Sequence, residues 1–383
     1  MKRRLRVLHI GNGSAFKIKS IIDGLISRGH DIHMVPIPPS RQPIDGVTWH
    51  NFPDSSLPAQ AKVIRRMLQV RRLVRNSKPD IVHAHNAWGP GWYGAAAGVH
   101  PLVIHGYGGD LLPEQYQGRP MLQRCLTSWA CRAADQVIVT GQHMAHASRQ
   151  LGIDPKRITL LPRGVDMARY RPGLDVTSLR ESLGLTGARP IILSPRYQVD
   201  EPIYNLKTVV EAFSQVRSRF PDAVCLQMYG PDRHRGVDAL RTLAFQLDLG
   251  DSYRLLPTVD NTSMPLFYNL SDVAVSVPSS DGFPVTVLEA SACGCPLIVS
   301  DLPYCKDWFI QRENGLVIAA KAPDALADAI GELYLDQSLR ERFGAVSRRL
   351  VAVRADYEQC MDRLEGLYFK MLEGRSAIHN EEF

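Results

Sequence analysis

Residues 272–301 read DVAVSVPSSDGFPVTVLEASACGCPLIVSD, and the order of residue types along this stretch decides the architecture. Val273 to Val277 is an apolar, β-branched run that stops at a Ser-Ser-Asp-Gly turn, the pattern of a buried strand. A short helical pattern follows, then Gly294, Pro296 and a second apolar run, Leu297 to Ser300. Strand, loop, helix and strand in succession make the unit of a parallel α/β sheet. The free N–H groups of such a loop–helix junction converge on one spot and suit an anionic ligand. Asp281 stands at the turn, and Glu289 stands eight positions later inside the helix. Carboxylates accept hydrogen bonds from hydroxyls and do not bind phosphate. Hydroxyls beside phosphate point to a nucleotide sugar.

The same alternation runs outward in both directions. Leu5 to Ile10 is an apolar run ending in Gly11-Asn12-Gly13-Ser14, followed by a helical pattern (Ile18, Ile21, Ile22, Leu25, Ile26) and a second strand at Asp31 to Val35. Further strands are expected at 81–85, 102–105, 136–140 and 158–162, and a second series at 191–194, 224–229, 253–256, 273–277, 297–300 and 315–318. Helices are expected at about 205–218, 236–248, 263–270, 286–293, 323–335 and 337–352, with an amphipathic tail over 355–373. Pro, Gly and polar residues crowd 173–190, which reads as the linker. The sequence thus predicts an N-terminal domain over 1–172, a C-terminal domain over 191–354 and a terminal helix and tail over 355–383.

A chain of 383 residues with 45% apolar and 22% charged residues has the composition of a soluble globular protein of two domains. The apolar run at the N-terminus is short for a signal peptide, and no uninterrupted run reaches membrane-spanning length. The seven cysteines show no metal or redox spacing and read as free thiols in a reducing cytoplasm. Charge is divided: residues 1–172 hold 24 Lys and Arg against 10 Asp and Glu, and the rest of the chain holds 21 against 29. The first half is therefore expected to meet something anionic. No nucleic-acid motif accompanies the charge. An anionic membrane surface or a phosphate-bearing acceptor fits better.

Asp281-Gly282-Phe283 followed by Glu289-Ala290-Ser291-Ala292-Cys293-Gly294-Cys295-Pro296 resembles the signature of retaining glycosyltransferases of family 4, an acid, seven residues, then Glu-Ala, a small residue and Gly-x-Pro. The first acid of the family is usually Glu, and here it is Asp281. Pro79-Asp80-Ile81-Val82-His83-Ala84-His85 and Pro162-Arg163-Gly164-Val165-Asp166, with Tyr170 and Pro172, are similar to further family segments, with Arg163 in place of the usual Asn. The resemblance covers nearly the whole chain. It implies the GT-B fold: two doubly wound, Rossmann-like α/β domains facing across a cleft, with the last helix returning to the first domain.

What the resemblance implies for the site can be set beside what each residue does on its own. Glu289 should bind the ribose hydroxyls of the donor; Thr286-Val287-Leu288-Glu289 also fits a helix capping box. Asp281 should contact hydroxyls of the transferred sugar; a turn-forming Asp before Gly282 is the competing reading. The N–H groups of Gly282, Phe283, Val285 and Thr286 are further donor contacts, while Pro284 has no N–H. Arg196 resembles the arginine that holds the diphosphate. The family's Lys-Gly pair falls on Tyr204-Asn205, so Lys207, one helical turn on, is the substitute phosphate ligand, or a surface lysine. His105, opening His105-Gly106-Tyr107-Gly108-Gly109-Asp110, resembles the family loop that faces the sugar, and its imidazole or carbonyl would stabilise positive charge at the anomeric carbon. His105, Asp281 and Arg196 are thus the expected catalytic residues. Gly13 lies in a Gly-rich turn suited to close approach of phosphate. His83 and His85 share one strand face, but a zinc site needs more ligands than the sequence offers, and packing in the core or cleft is the expectation.

Residues 59–78 form a basic helical pattern with Val63, Met67, Val70 and Val74 on one face and Arg65, Arg66, Arg71, Arg72 and Arg75 around it. This helix either lies on an anionic bilayer or packs on its domain with a solvated basic side. The expectation is a metal-independent, retaining hexosyltransferase of the cytoplasm, peripheral at the inner face of the membrane. Its donor would be a nucleoside-diphosphate sugar, UDP-linked by family habit. Its acceptor would be a hydroxyl of a lipid-linked or envelope glycan, as in polysaccharide biosynthesis. No metal and no separate cofactor is expected, and nucleic acid is not an expected partner. An epimerase of the same fold, or a non-catalytic sugar-nucleotide-binding scaffold at the membrane, are the alternatives.

Overall fold

The computed structural model describes residues 3–12, 16–37, 44–53, 56–112, 120–231 and 233–381. The chain divides into two compact units, Met1–Pro162 with Glu358–Phe383, and Arg163–Tyr357. The first unit runs β1 (Arg6–Gly11), α1 (Phe16–Ser27), β2 (Asp31–Pro36), β3 (Val47–Trp49), α2 (Ala59–Ser77), β4 (Ile81–His85), α3 (Pro90–Ala97), β5 (Leu102–His105), α4 (Met121–Ala133), β6 (Gln136–Val139), α5 (Gln142–Gln150) and β7 (Ile158–Leu160). These strands form one parallel sheet in the order β3-β2-β1-β4-β5-β6-β7. β3 was not expected from the sequence; it adds three residues beside β2 at the edge.

The second unit opens with α6 (Thr177–Ser182), β8 (Ile191–Ser194), α7 (Leu206–Arg219), β9 (Val224–Tyr229), α8 (His234–Gln246), β10 (Tyr253–Pro257), α9 (Met264–Leu270) and β11 (Val273–Ser276). It continues with α10 (Val285–Ala292), β12 (Leu297–Ser300), α11 (Cys305–Trp308), β13 (Leu316–Ile318), α12 (Pro323–Leu335) and α13 (Gln337–Arg354). Its sheet is parallel, in the order β10-β9-β8-β11-β12-β13. The division into units falls ahead of the 173–190 segment expected as the linker, because that segment is built into the second unit. Part of it forms α6, and Leu185 is fully buried in the core.

Each strand of this second sheet is apolar on both faces, as a parallel sheet covered by helices on two sides requires. The period of two sorts neighbours to opposite cores: Ile191, Leu193, Ala274, Leu297 and Val299 pack on one side, Ile192, Val273, Val275 and Ile298 on the other. Gly294 closes α10 with φ +69°, a left-handed conformation that glycine enters without strain, which is why the helix can turn sharply into Pro296 and β12.

The final helix, α14 (Tyr357–Glu381), belongs to the first unit from Glu358 onward. It is held there by specific polar contacts. Leu5 N–H donates to His30 Nδ1 at 3.2 Å, so His30 carries its proton on Nε2 and donates to Glu365 Oε1 at 3.0 Å. Arg28 pairs with Glu358 at 2.6 Å, and Tyr368 meets His83 Nδ1 at 2.6 Å. No helix among the described residues is long and apolar enough to cross a membrane.

Candidate active site

In a doubly wound sheet, ligands bind beyond the carboxyl ends of the strands, where the strand order reverses. In the second unit that place lies between β8 and β11. The loop after β8 supplies Arg196 and the loop after β11 supplies Asp281, and the two meet: Arg196 Nη2 lies 2.5 Å from Asp281 Oδ2. Both side chains are largely enclosed, at 11% and 13% exposure, and still open to one side. Ser276 Oγ accepts from Arg196 Nε and Nη2 at 3.3 Å each, and the guanidinium lies over the Tyr204 ring at 4.7 Å. Gln227 on β9 donates to the Arg196 carbonyl at 2.7 Å and fixes its main chain. Burial opposes the charge of Arg196, and the nearby Asp281, which also accepts a hydrogen bond from it, more than offsets this, so its pKa rises.

The segment between β8 and α7 is stitched to the loop bearing Asp281. Asn205 takes φ +51° and donates from Nδ2 to Val277 O and Ser279 Oγ, both at 2.8 Å, and Ser279 N–H donates to Ile203 O at 2.7 Å. Asn205 thus holds a left-handed position at the start of α7, and Tyr204 before it lays an aromatic face against Arg196. Lys207 lies on the exposed side of α7, at 73% exposure, where it pairs with Glu211 at 3.5 Å.

Glu289 stands in different company. It is buried on α10, with Tyr170 Oη 3.3 Å from Oε1 and Tyr268 Oη 3.0 Å from Oε2. The N-cap of α10 is Pro284, so Glu289 lies beyond the first turn and the capping-box reading does not hold. Burial raises the Glu289 pKa, while the charge of Arg163 and the two phenol hydrogen bonds oppose the rise. Burial and the adjacent carboxylate push both phenols up, so they remain donors. Arg348 donates to the carbonyls of Tyr170 and Ala292 and so ties the Tyr170 backbone to the end of α10.

Of the other expected donor contacts, Phe283 packs its ring on Trp308 at 4.8 Å and Tyr304 at 5.1 Å, which leaves only its main chain for a ligand. Gly282 is buried, Val285 and Thr286 form the first turn of α10, and Thr286 Oγ1 is enclosed without a hydrogen-bond partner among the described residues. Arg196 and Asp281 are thus brought together, Glu289 follows on the same loop–helix element inside its tyrosine pair, and Lys207 faces outward. Sequence reading missed Tyr204, Tyr268 and the influence of Arg163. Tyr268 carries no local signal, since at its place in α9 it reads as a core residue.

In the first unit His105 ends β5, is buried, and stacks on Tyr107 at 4.5 Å. Asp110 accepts from the N–H groups of Ala87, Tyr107 and Gly108, which closes the loop behind His105. Gly13 lies outside the described residues. On α2, Val70 and Val74 are buried and Val63 and Met67 pack on the core, as the sequence indicates. Arg65, Arg71, Arg72 and Arg75 are exposed, and Arg66 lies over the Phe52 ring at 5.1 Å. The sequence did not indicate a second apolar stripe: Leu57, Ile64 and Leu68 point outward at 40%, 60% and 62% exposure, beside Arg65 and Arg72.

Comparison with known proteins gives a consistent result. Residues 11–169 match the family described as Glycosyltransferase Family 4, and residues 175–350 match Glycosyl transferases group 1. The D-inositol 3-phosphate glycosyltransferase of Acidothermus cellulolyticus is 26% identical over 94% of this chain and 85% of its own. That of Nocardia farcinica is 28% identical over 79% and 68%. The chain spans about half the length, 48%, of D-inositol 3-phosphate glycosyltransferase 2 of Catenulispora acidiphila, at 30% identity over 52% of this chain. Among solved structures, sucrose-phosphate synthase from Thermosynechococcus elongatus superposes with a TM-score of 0.83 at 18% identity, over 97% of this chain and 100% of that one. Anabaena HepE in complex with UDP and glucose superposes with a TM-score of 0.81 at 15% identity, over 96% and 100%.

Proposed function

The chain belongs to the GT-B glycosyltransferases of family 4 type, and from that premise we propose that it moves a sugar from a nucleoside-diphosphate sugar to a hydroxyl of a lipid-linked or envelope glycan, with retention at the anomeric carbon. The observation that carries this reading is the Arg196–Asp281 pair at the strand-order reversal of the six-stranded sheet, 2.5 Å apart and followed on the next helix by Glu289. UDP and UDP-glucose complexes are known for the structural neighbour HepE, which agrees with a UDP-linked donor.

The proposed roles follow from the chemistry of each group. Asp281 holds Arg196 in place of a phosphate. When the donor enters, the guanidinium takes two oxygens of the diphosphate and releases the carboxylate to hydroxyls of the transferred sugar. Glu289, ionised and already accepting from two phenols, has lone pairs left for the ribose hydroxyls. The N–H groups of Gly282, Phe283, Val285 and Thr286 face the phosphate and sugar. The bond from the anomeric carbon to the diphosphate oxygen breaks while the acceptor oxygen bonds the same carbon from the same face. The acceptor's proton passes to the departing phosphate oxygen. His105 stabilises the positive charge at the anomeric carbon. Arg196 and the main-chain dipoles carry the leaving charge, so transfer itself proceeds without a metal.

The relatives named for D-inositol 3-phosphate, with the basic excess of residues 1–172, favour a second reading of the acceptor as a phosphorylated polyol. The outward stripe of Leu57, Ile64 and Leu68 among the arginines of α2 supports docking on an anionic membrane at its cytoplasmic face. The test is nucleoside-diphosphate release with the purified chain, donor alone against donor plus membrane extract or inositol phosphate. Release only with acceptor is expected, and Glu289→Ala is expected to abolish it with the circular dichroism unchanged. Conversion of the donor alone would mark an epimerase, and full turnover by Glu289→Ala would end the proposal.

A further inference from the structure

We propose that His9, His83 and His85 form a site for one late first-row transition-metal ion, of the zinc class, inside the first unit. His9 sits on β1 and the other two on β4. The parallel register sets His9 beside His83, and the two-residue period of the strand puts His85 on the same face. One ligand nitrogen from each ring lies within 4.8 Å of the other two. The ring centroids are 4.2 Å apart for His83 and His85, 5.3 Å for His9 and His83, and 5.1 Å for His9 and His85.

The groups behind the rings aim them. Tyr368 Oη lies 2.6 Å from His83 Nδ1 and Tyr107 Oη lies 2.8 Å from His85 Nδ1. Each tyrosine engages the far nitrogen of its imidazole and turns Nε2 toward the cluster, the arrangement by which outer partners orient metal-bound histidines. His9 Nδ1 lies 2.8 Å from His85 Nε2, a separation that must open by about half an ångström to admit an ion with ordinary metal–nitrogen bonds.

A further observation points to a bound ion: Nε2 of His83, the nitrogen turned toward the cluster, is buried without a hydrogen-bond partner among the described residues, and an unsatisfied buried polar atom costs about 1–3 kcal/mol. Three nitrogens without a carboxylate select zinc, cobalt, nickel or copper over calcium and magnesium. His83 and His85 alone have too few ligands for such a site; the third lies on a strand 74 residues earlier, brought alongside by the sheet.

Such an ion would brace β1 against β4, independently of the transfer reading. The test uses the full chain, stripped with a chelator, then titrated with Co2+ alone and read by visible absorption, with Zn2+ as competitor. One equivalent with the absorption of a low-symmetry nitrogen site is expected. His83→Gln and His9→Gln should each weaken binding at least a hundredfold. Tyr368→Phe, which keeps all three ligands, should weaken it about tenfold. His50→Ala is the control for the surface pair His33 and His50, whose rings lie 2.8 Å apart at Nδ1 and Nε2. The proposal is overturned if the parent protein takes up no Co2+ or Zn2+. It is equally overturned if uptake survives in well-folded His9 and His83 variants, or disappears with His50→Ala.

Discussion

The two sheets share a plan and differ in what they place at the reversal of strand order. The six-stranded sheet sets formal charges there, Arg196 and Asp281, on loops beyond the strand ends. The seven-stranded sheet sets buried imidazoles there, within the strands themselves: His9 and His83 are fully buried, and His85 nearly so. Dielectric cost explains the division. An ion pair keeps its charge when one side remains open to water and each partner is hydrogen-bonded, whereas inside a sheet an ionised group is expensive and a titratable one goes neutral. The open arrangement can exchange one anionic partner for another, as a phosphate-binding site must. The closed one can only offer lone pairs.

The largest effect that separates the two regions should come from Arg196→Gln. It removes the cation proposed to hold the diphosphate and leaves the largely enclosed Asp281 without that charge beside it. Transfer, as kcat/KM for the donor, should fall by about a thousandfold, comparable with losing a charge-stabilising donor in other enzymes. A fall under tenfold would mean the loop pair is structural like the histidines. The intermediate effect belongs to the first unit. Glu365→Ala removes the acceptor for His30 Nε2–H and opens a small void behind α14, at a cost of about 2–3 kcal/mol. The thermal midpoint of that unit should drop by about 5 °C, with donor KM in the folded protein unchanged. A shift in donor KM instead would show that the closed region takes part in donor binding.

The smallest effect sharpens the role of Glu289. Its carboxyl is raised above the ordinary 4.5 by burial and restrained by Arg163, Tyr268 and Tyr170, with Cys293 the other titratable neighbour coupled to the group. A raised acid favours its protonated form in the fold, so it destabilises the protein as pH climbs through its pKa, and below that pKa it loses the charge proposed to receive the ribose hydroxyls. Tyr268→Phe removes one restraint. Donor KM at neutral pH should rise about tenfold, and the acid limb of the kcat/KM profile should move to higher pH. An unmoved limb with an altered KM would assign that titration to another group.

The parallel sheets were legible in the chain because both faces of each strand are covered, so apolar β-branched runs stand out between Gly, Pro and Asp. β3 was not, since Val47-Thr48-Trp49 is three residues long and only partly buried. At the site, Arg196 and Asp281 could be named from their places after strands, and the ion pair joins positions 85 residues apart. Tyr268 and Tyr170 could not be placed against Glu289, because nothing in the core-forming helix α9, or in the bend that holds Tyr170, marks which phenol will face a carboxylate 21 or 119 residues away. The same limit hid His9, whose neighbours in space are set by register alone, and the outward apolar stripe of α2, whose inward stripe alone already satisfies a helical pattern.

The return of α14 to the first unit makes synthesis order matter. The ribosome completes every strand of the seven-stranded sheet, then the whole of the second unit, before it makes Glu365 and Tyr368. Until then His30 and His83 lack those partners, so the polar contacts that seat α14 on the first unit form only after the second unit has been made in full.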